Sequence, residues 1–129
     1  MSLDAIGIAC KDTQRSMNFY KQLGLSFKEF GEGHCEATSP SGVRIMLDSF
    51  DLLKKINPAW EQPIHSGITL AFVQSSPSEV DKLHAQLTQA GAVSIKEPWD
   101  AFWGQRYSSV RDPDGNQVDL FCNLEKNND

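Results

Sequence analysis

The chain has 129 residues, 40% hydrophobic and 22% charged, with 12 Lys and Arg against 17 Asp and Glu for a formal net charge of −5. That length can bury a real core without disulfide or metal staples, so one domain over residues 1–124 is expected, and the ordinary composition excludes a disordered or collagen-like chain. The acidic balance argues against a phosphate-binding surface, which would concentrate Lys and Arg on one face, so no nucleic-acid partner is expected.

No stretch approaches the ~20 apolar residues of a membrane helix. The start Met1-Ser2-Leu3-Asp4 lacks a basic region followed by an apolar run, so a cytoplasmic location and no membrane partner are expected. Cys10, Cys35 and Cys122 form neither an even framework nor a C-x-x-C pair and read as reduced, buried thiols.

Residues 3–10 alternate bulky Ile6, Ile8 and Cys10 with small Ala5, Gly7 and Ala9, the period of two that marks a strand. From Asp12, a plausible N-cap, the pattern changes to Met17, Tyr20 and Leu23 at helical spacing and stops at Gly24. Three further strands are predicted at 25–30, 34–38 and 43–48, punctuated by Gly31-Glu32-Gly33 and Pro40-Ser41-Gly42. A linker-like stretch follows around Asn57-Pro58 and Gln62-Pro63.

The same order then recurs. Residues 66–73 alternate Ile68, Leu70 and Phe72 with Gly67, Thr69 and Ala71. Ser76-Pro77-Ser78-Glu79 combines an N-cap Ser, Pro at the first helical position and Glu three residues after the cap. Val80, Leu83, Leu87 and Ala90 form the buried stripe of this helix, and Gly91 ends it. Strands are predicted near 93–96, 106–110 and 117–122, the last two joined by the turn Asp112-Pro113-Asp114-Gly115. The chain therefore reads as βαβββ repeated once, module one at about 3–56 and module two at about 65–124. The acidic tail 125–129 has no packing pattern and is expected to fray.

Phe19-Tyr20-Lys21-Gln22-Leu23-Gly24-Leu25 at the first helix end and Arg111-Asp112-Pro113-Asp114-Gly115-Asn116 before the last strand, at both ends of a duplicated pattern, resemble the vicinal oxygen chelate superfamily. Its members include glyoxalase I, extradiol dioxygenases and the bleomycin and fosfomycin resistance proteins. The resemblance implies an α+β fold of two tandem βαβββ modules, whose curled mixed sheets carry helices on the convex side and a ligand in a concave cavity. Many members form dimers, so a homodimer is expected.

Metal-using members place His on the first strand, Glu on the fourth, His on the fifth and Glu on the eighth, where a divalent ion acts as a Lewis acid. By alternation the corresponding positions fall on Ala5, Met46, Thr69 and Asp119. One carboxylate of four is too few for a catalytic metal centre, since such centres use about three protein ligands. No metal at the family's position, and no cofactor, is therefore expected.

Small Ala5, Gly7, Ala9, Gly67, Thr69 and Ala71 would leave the cavity floor open, with Met46, Phe121, Trp99, Trp103, Arg106 and Tyr107 around it. Large apolar faces with single polar groups suit planar organic ligands. Arg44, Asp48 and Asp119 are the inward charged candidates, able to pair with ligand oxygens or amines, or with one another across the sheet.

The function expected is a metal-independent binding protein for a small organic ligand. The alternatives are a metal-dependent lyase, isomerase or dioxygenase whose site is displaced to His34, Glu36 or His65, and an interaction module with filled concave faces. His34 and Glu36 otherwise read as surface residues of a hairpin edge. His84 reads as a partly exposed helix residue, and Cys10 and Cys122 as packing residues.

Overall fold

The computed structural model describes residues 1–64 and 67–125, which divide into two compact units, Met1–His65 and Ser66–Asp129. The first contains β1 (Ala5–Cys10), α1 (Thr13–Lys21), β2 (Lys28–Glu29), β3 (His34–Thr38), β4 (Arg44–Ser49) and α2 (Phe50–Ile56). The second contains β5 (Leu70–Val73), α3 (Pro77–Gln89), β6 (Ser94–Ala101), β7 (Gln105–Arg111) and β8 (Gln117–Asn123). Each unit is an open four-stranded sheet, ordered β1-β4-β3-β2 in one and β5-β8-β7-β6 in the other. In each, the first and last strands of the repeat pair in parallel and the rest antiparallel.

The shared local chemistry explains the repeat. Asp12 caps α1 by accepting from the Gln14 and Arg15 backbone N–H groups, and Ser76 caps α3 by accepting from Glu79 N, satisfying donors that a helix start leaves orphaned. Both helices end on a glycine in the left-handed region, Gly24 at φ 89° and Gly91 at φ 105°. Leu25 N then donates to Tyr20 O at 3.2 Å, and Ala92 N to Leu87 O at 2.9 Å, the closing bond of a Schellman-type end.

Alternation sorts the sheets as expected. Ile8, Cys10, Cys35, Ala37, Ile45 and Leu47 are buried on the helix side of the first unit, with Phe19 and Tyr20 of α1. Val110, Val118, Leu120 and Cys122 are buried on the helix side of the second, with Val80 and Leu87 of α3. All three cysteines are free and buried.

Asp112 anchors the turn between β7 and β8. Its Oδ1 accepts from the Asp114 and Asn116 backbone N–H groups and its Oδ2 from Asn116 Nδ2, each at 2.9 Å. The turn sets the register in which Ser109 faces Asp119 and Tyr107 faces Phe121.

Several boundaries differ from the sequence expectation. Residues 50–56, to which the sequence reading assigns no element, form α2, because Ser49 accepts from Leu52 N at 3.1 Å and caps a helix. The strand expected at 25–30 shrinks to Lys28–Glu29 at a sheet edge. The one expected near 93–96 runs on to Ala101 through two register irregularities that accommodate Pro98. The strand expected from residue 66 starts at Leu70, and its first residue lies outside the described ones. Ile68, expected against the helices, is 64% exposed because it precedes the paired segment.

Candidate functional site

In each unit the sheet face turned away from the helices carries the polar and aromatic side chains. The register makes the two faces comparable position by position. On the first, Gly7, Met46 and Glu36 form one row and Ala9, Asp48 and His34 the next. On the second, the equivalent rows are Ala71, Asp119 and Ser109, then Val73, Phe121 and Tyr107.

The first face is a ladder of charges that satisfy one another. His34 Nδ1 meets the Asp48 carboxylate opposite it, and Nε2 lies 2.7 Å from Glu36 Oε2. The Arg44 guanidinium donates to Glu36 Oε1 through Nη1 and to Asp4 Oδ2 through Nη2 at 2.6 Å. His34, taken from the sequence as a hairpin-edge residue, is thus the half-buried link between two carboxylates. Arg44 is held by Glu36 and Asp4 and Asp48 by His34, so the two find other partners than each other. Met46 lies between them, its Cε 3.5 Å from where a Cβ on Gly7 would stand.

With both ring nitrogens facing carboxylates, the His34 pKa is raised above 6.5, through Glu36 first and Asp48 second. Glu36 is lowered from its ordinary 4.5, chiefly by His34, and Arg44 is raised, chiefly by Asp4. The signs define a window. The His34 contribution to stability is fully present below about pH 6.5 and is lost as pH rises through the raised folded value. The Glu36 contribution is lost as pH falls through its lowered value. Denaturant unfolding across this range should show an alkaline loss in the parent that His34→Gln lacks; parallel pH profiles would refute the linkage.

The second face is aromatic. Trp103 stands edge-on to Trp99 at 5.4 Å, to Phe102 at 4.9 Å and to Tyr107 at 5.4 Å between ring centroids. Tyr107 stacks on Phe121 at 6.1 Å, and Lys96 Nζ lies 4.9 Å from the Trp99 ring centroid. These are the offset and edge geometries that aromatic quadrupoles favour. The indole of Trp103 is held by Gln105 Oε1 at 2.8 Å, and Gln105 Nε2 in turn donates to Asn123 Oδ1 at 2.9 Å. Trp103 remains 47% and Phe102 90% exposed.

Asp119 lies beneath this cluster, 6% exposed. Its Oδ2 accepts from the Tyr107 hydroxyl at 2.5 Å and its Oδ1 from Ser109 Oγ at 2.7 Å and Gln117 Nε2 at 3.0 Å. Burial first, and Asp119 second, push the Tyr107 phenol up to about 12, so it remains a donor through the neutral range. Ser109, Gln105 and Asn123 were not singled out from the sequence, although counting pairs outward from the Asp112–Gly115 turn reaches all three.

Other expected site residues lie elsewhere. Arg106, grouped by sequence with Tyr107, points to the helix side, where Asp81 of α3 accepts from Nε at 2.9 Å and Nη2 at 3.1 Å. Adjacent strand residues face opposite ways, which accounts for the separation. Thr69 is exposed and precedes β5. His84 is only 2% exposed, not partly exposed as expected; its Nε2 lies 2.9 Å from Ser94 Oγ, and burial lowers its pKa. His65 lies outside the described residues.

A cleft of about 600 Å³ is lined by Lys11, Asp12, Thr13, Arg15, Glu32, Gly33 and Ser49, and one of about 320 Å³ by residues of α1 with Leu25, Ser26 and Phe27. Neither is lined by a residue expected to bind ligand.

The donors at the four positions named for a metal do not suit one. Ala5 has no donor, Met46 offers a thioether, Thr69 a neutral hydroxyl, and both Asp119 oxygens already accept hydrogen bonds. Among the described residues, no group of three or more His, Cys, Asp and Glu is arranged to hold an ion. The His34 nitrogens point to separate carboxylates, so these groups do not converge. Among the described residues, no helix is long and apolar enough to cross a membrane.

Residues 2–120 match the sequence model of the Glyoxalase/Bleomycin resistance protein/Dioxygenase superfamily. Among solved structures, the fold is similar to that of a glyoxalase-related enzyme from Fulvimarina pelagi, with a TM-score of 0.83, 19% identity and coverage of 95% of this chain and 88% of that one. A glyoxalase/bleomycin resistance protein/dioxygenase family enzyme from Burkholderia phytofirmans PsJN gives 0.80 and 21%, covering 96% and 100%. A glyoxalase/bleomycin resistance protein/dioxygenase from Nocardioides gives 0.76 and 25%, covering 98% and 86%. No match is found among curated proteins.

Proposed function

Because the chain belongs to the Glyoxalase/Bleomycin resistance protein/Dioxygenase superfamily, a fold that hosts unrelated chemistries, we propose from its site that it is a metal-independent binding protein for a small, planar organic ligand. The observation that carries this reading is the half-exposed aromatic cluster Trp99, Phe102, Trp103, Tyr107 and Phe121 on the helix-free face of the second unit. It offers flat apolar area at low side-chain entropy cost, with Lys96 beside Trp99 to favour an electron-rich or anionic ring. The charge ladder of the first unit is self-satisfied, its charged groups already paired with one another. Arg106 is left out of the binding set because Asp81 and Asp100 hold its guanidinium. The working form is a homodimer in the cytoplasm.

The test is titration of the purified protein with quinoline, indole and 2-naphthoate, following tryptophan emission, beside zinc, nickel, manganese and ferrous ion. Saturable quenching by a ring compound without metal supports the reading. No response to any ring compound, or one tightly bound ion per chain with metal-dependent turnover, overturns it and favours the superfamily's metal-dependent chemistry. Sedimentation at micromolar concentration tests the dimer.

A further inference from the structure

We propose that Asp119 is a positioning residue for the aromatic cluster: its carboxylate sets the lean of the Tyr107 ring, and through that ring the stance of Trp103. This rests on the binding reading above and deepens it, turning a position at which metal-using relatives carry a ligand into the footing of a wall of rings.

The geometry supports that role step by step. Tyr107 pairs in register with Phe121, so its hydroxyl reaches Asp119 by leaning along the strand to the diagonal neighbour. That lean stacks the phenol ring over Phe121, at an interplanar angle of 27°. It also presents the ring to Trp103 at 78°. Trp103 is the common neighbour of Trp99, Phe102 and Tyr107, so a change at Tyr107 is felt by the exposed rings.

Asp119 is itself fixed from two further directions, by Ser109 and Gln117, and its neighbour on β5 is Ala71, which carries no polar side-chain group to compete. A buried carboxylate whose two oxygens receive three donors has its orientation set by the sheet. The equivalent row of the first unit holds Met46 between Gly7 and Glu36, so a thioether stands there in place of the carboxylate.

The experiment compares Tyr107→Phe, Asp119→Asn, Asp119→Ala and the Tyr107→Phe/Asp119→Ala pair in a Trp60→Phe background, where emission and the exciton circular dichroism report Trp99 and Trp103. Tyr107→Phe removes only the donated bond and keeps the ring, so it guards against loss of folding in the Asp119 variants. The expected result is a similar change in the tryptophan exciton band for Tyr107→Phe and Asp119→Ala, with no further change in the double variant. Quinoline affinity should fall about fivefold in each. An unchanged exciton band in Tyr107→Phe overturns the inference, as does stoichiometric zinc binding by the parent that Asp119→Asn abolishes. If the bands shift but the parent binds none of the ring compounds, the positioning role stands and the binding reading falls.

Discussion

Trp103→Ala should weaken quinoline binding tenfold or more, a loss of about 1.4 kcal/mol or greater. Trp103 is the shared partner of Trp99, Phe102 and Tyr107 and is half-exposed, so truncation removes contact area and frees its neighbours together. Large aromatic residues with rigid supports are those on which binding energy concentrates. Phe102→Ala should cost less, because Phe102 stands 90% exposed at the tip of the β6–β7 hairpin. Trp103→Phe should recover part of the loss, since it keeps a ring but loses the bond to Gln105. Isothermal titration of the three variants ranks them; equal affinity for Trp103→Ala and the parent would place the ligand away from this face.

Leu120→Ala should lower the stability of the second unit by about 2–5 kcal/mol, the range for a buried leucine whose cavity relaxes only in part. Leu120 has no exposure, lies on β8 between β5 and β7, and is in register with Phe72 and Ser108. Its methyl groups point to the helix side, and α3 packs on that face of the sheet. Against a typical total of about 5–15 kcal/mol, the loss is large enough to shift a denaturation midpoint clearly. Emission from Trp99 and Trp103 follows the unit concerned. Val93→Ala, at 59% exposure, serves as a surface control expected within about 0.5 kcal/mol. A Leu120→Ala midpoint matching that control would mean the core does not depend on this position.

Much of the architecture was legible because it depends on near neighbours. The capping residues Asp12 and Ser76 and the terminating Gly24 and Gly91 act within a few residues, and each marks its helix where expected. The period-two rows of β1 and β4 likewise separate the more buried side from the more open side, whereas on β8 Asp119 of the helix-free face is buried too. The helix at Phe50–Ile56 was missed because its cap, Ser49, also ends β4, so one residue serves two elements.

The site was less legible, because its chemistry depends on which strands lie side by side. From the sequence alone, the small residues of the first and fifth strands and the loss of metal donors at Ala5, Met46 and Thr69 followed from alternation and the family resemblance. That His34 sits between Glu36 and Asp48, and that Asp119 receives Tyr107, Ser109 and Gln117, required the antiparallel registers of β3 with β4 and β7 with β8. The partner taken by Arg106 required the packing of α3, whose Asp81 holds it. Caps, turns and alternation are written in adjacent residues, whereas the partner of a side chain is decided by pairing between residues far apart in the chain.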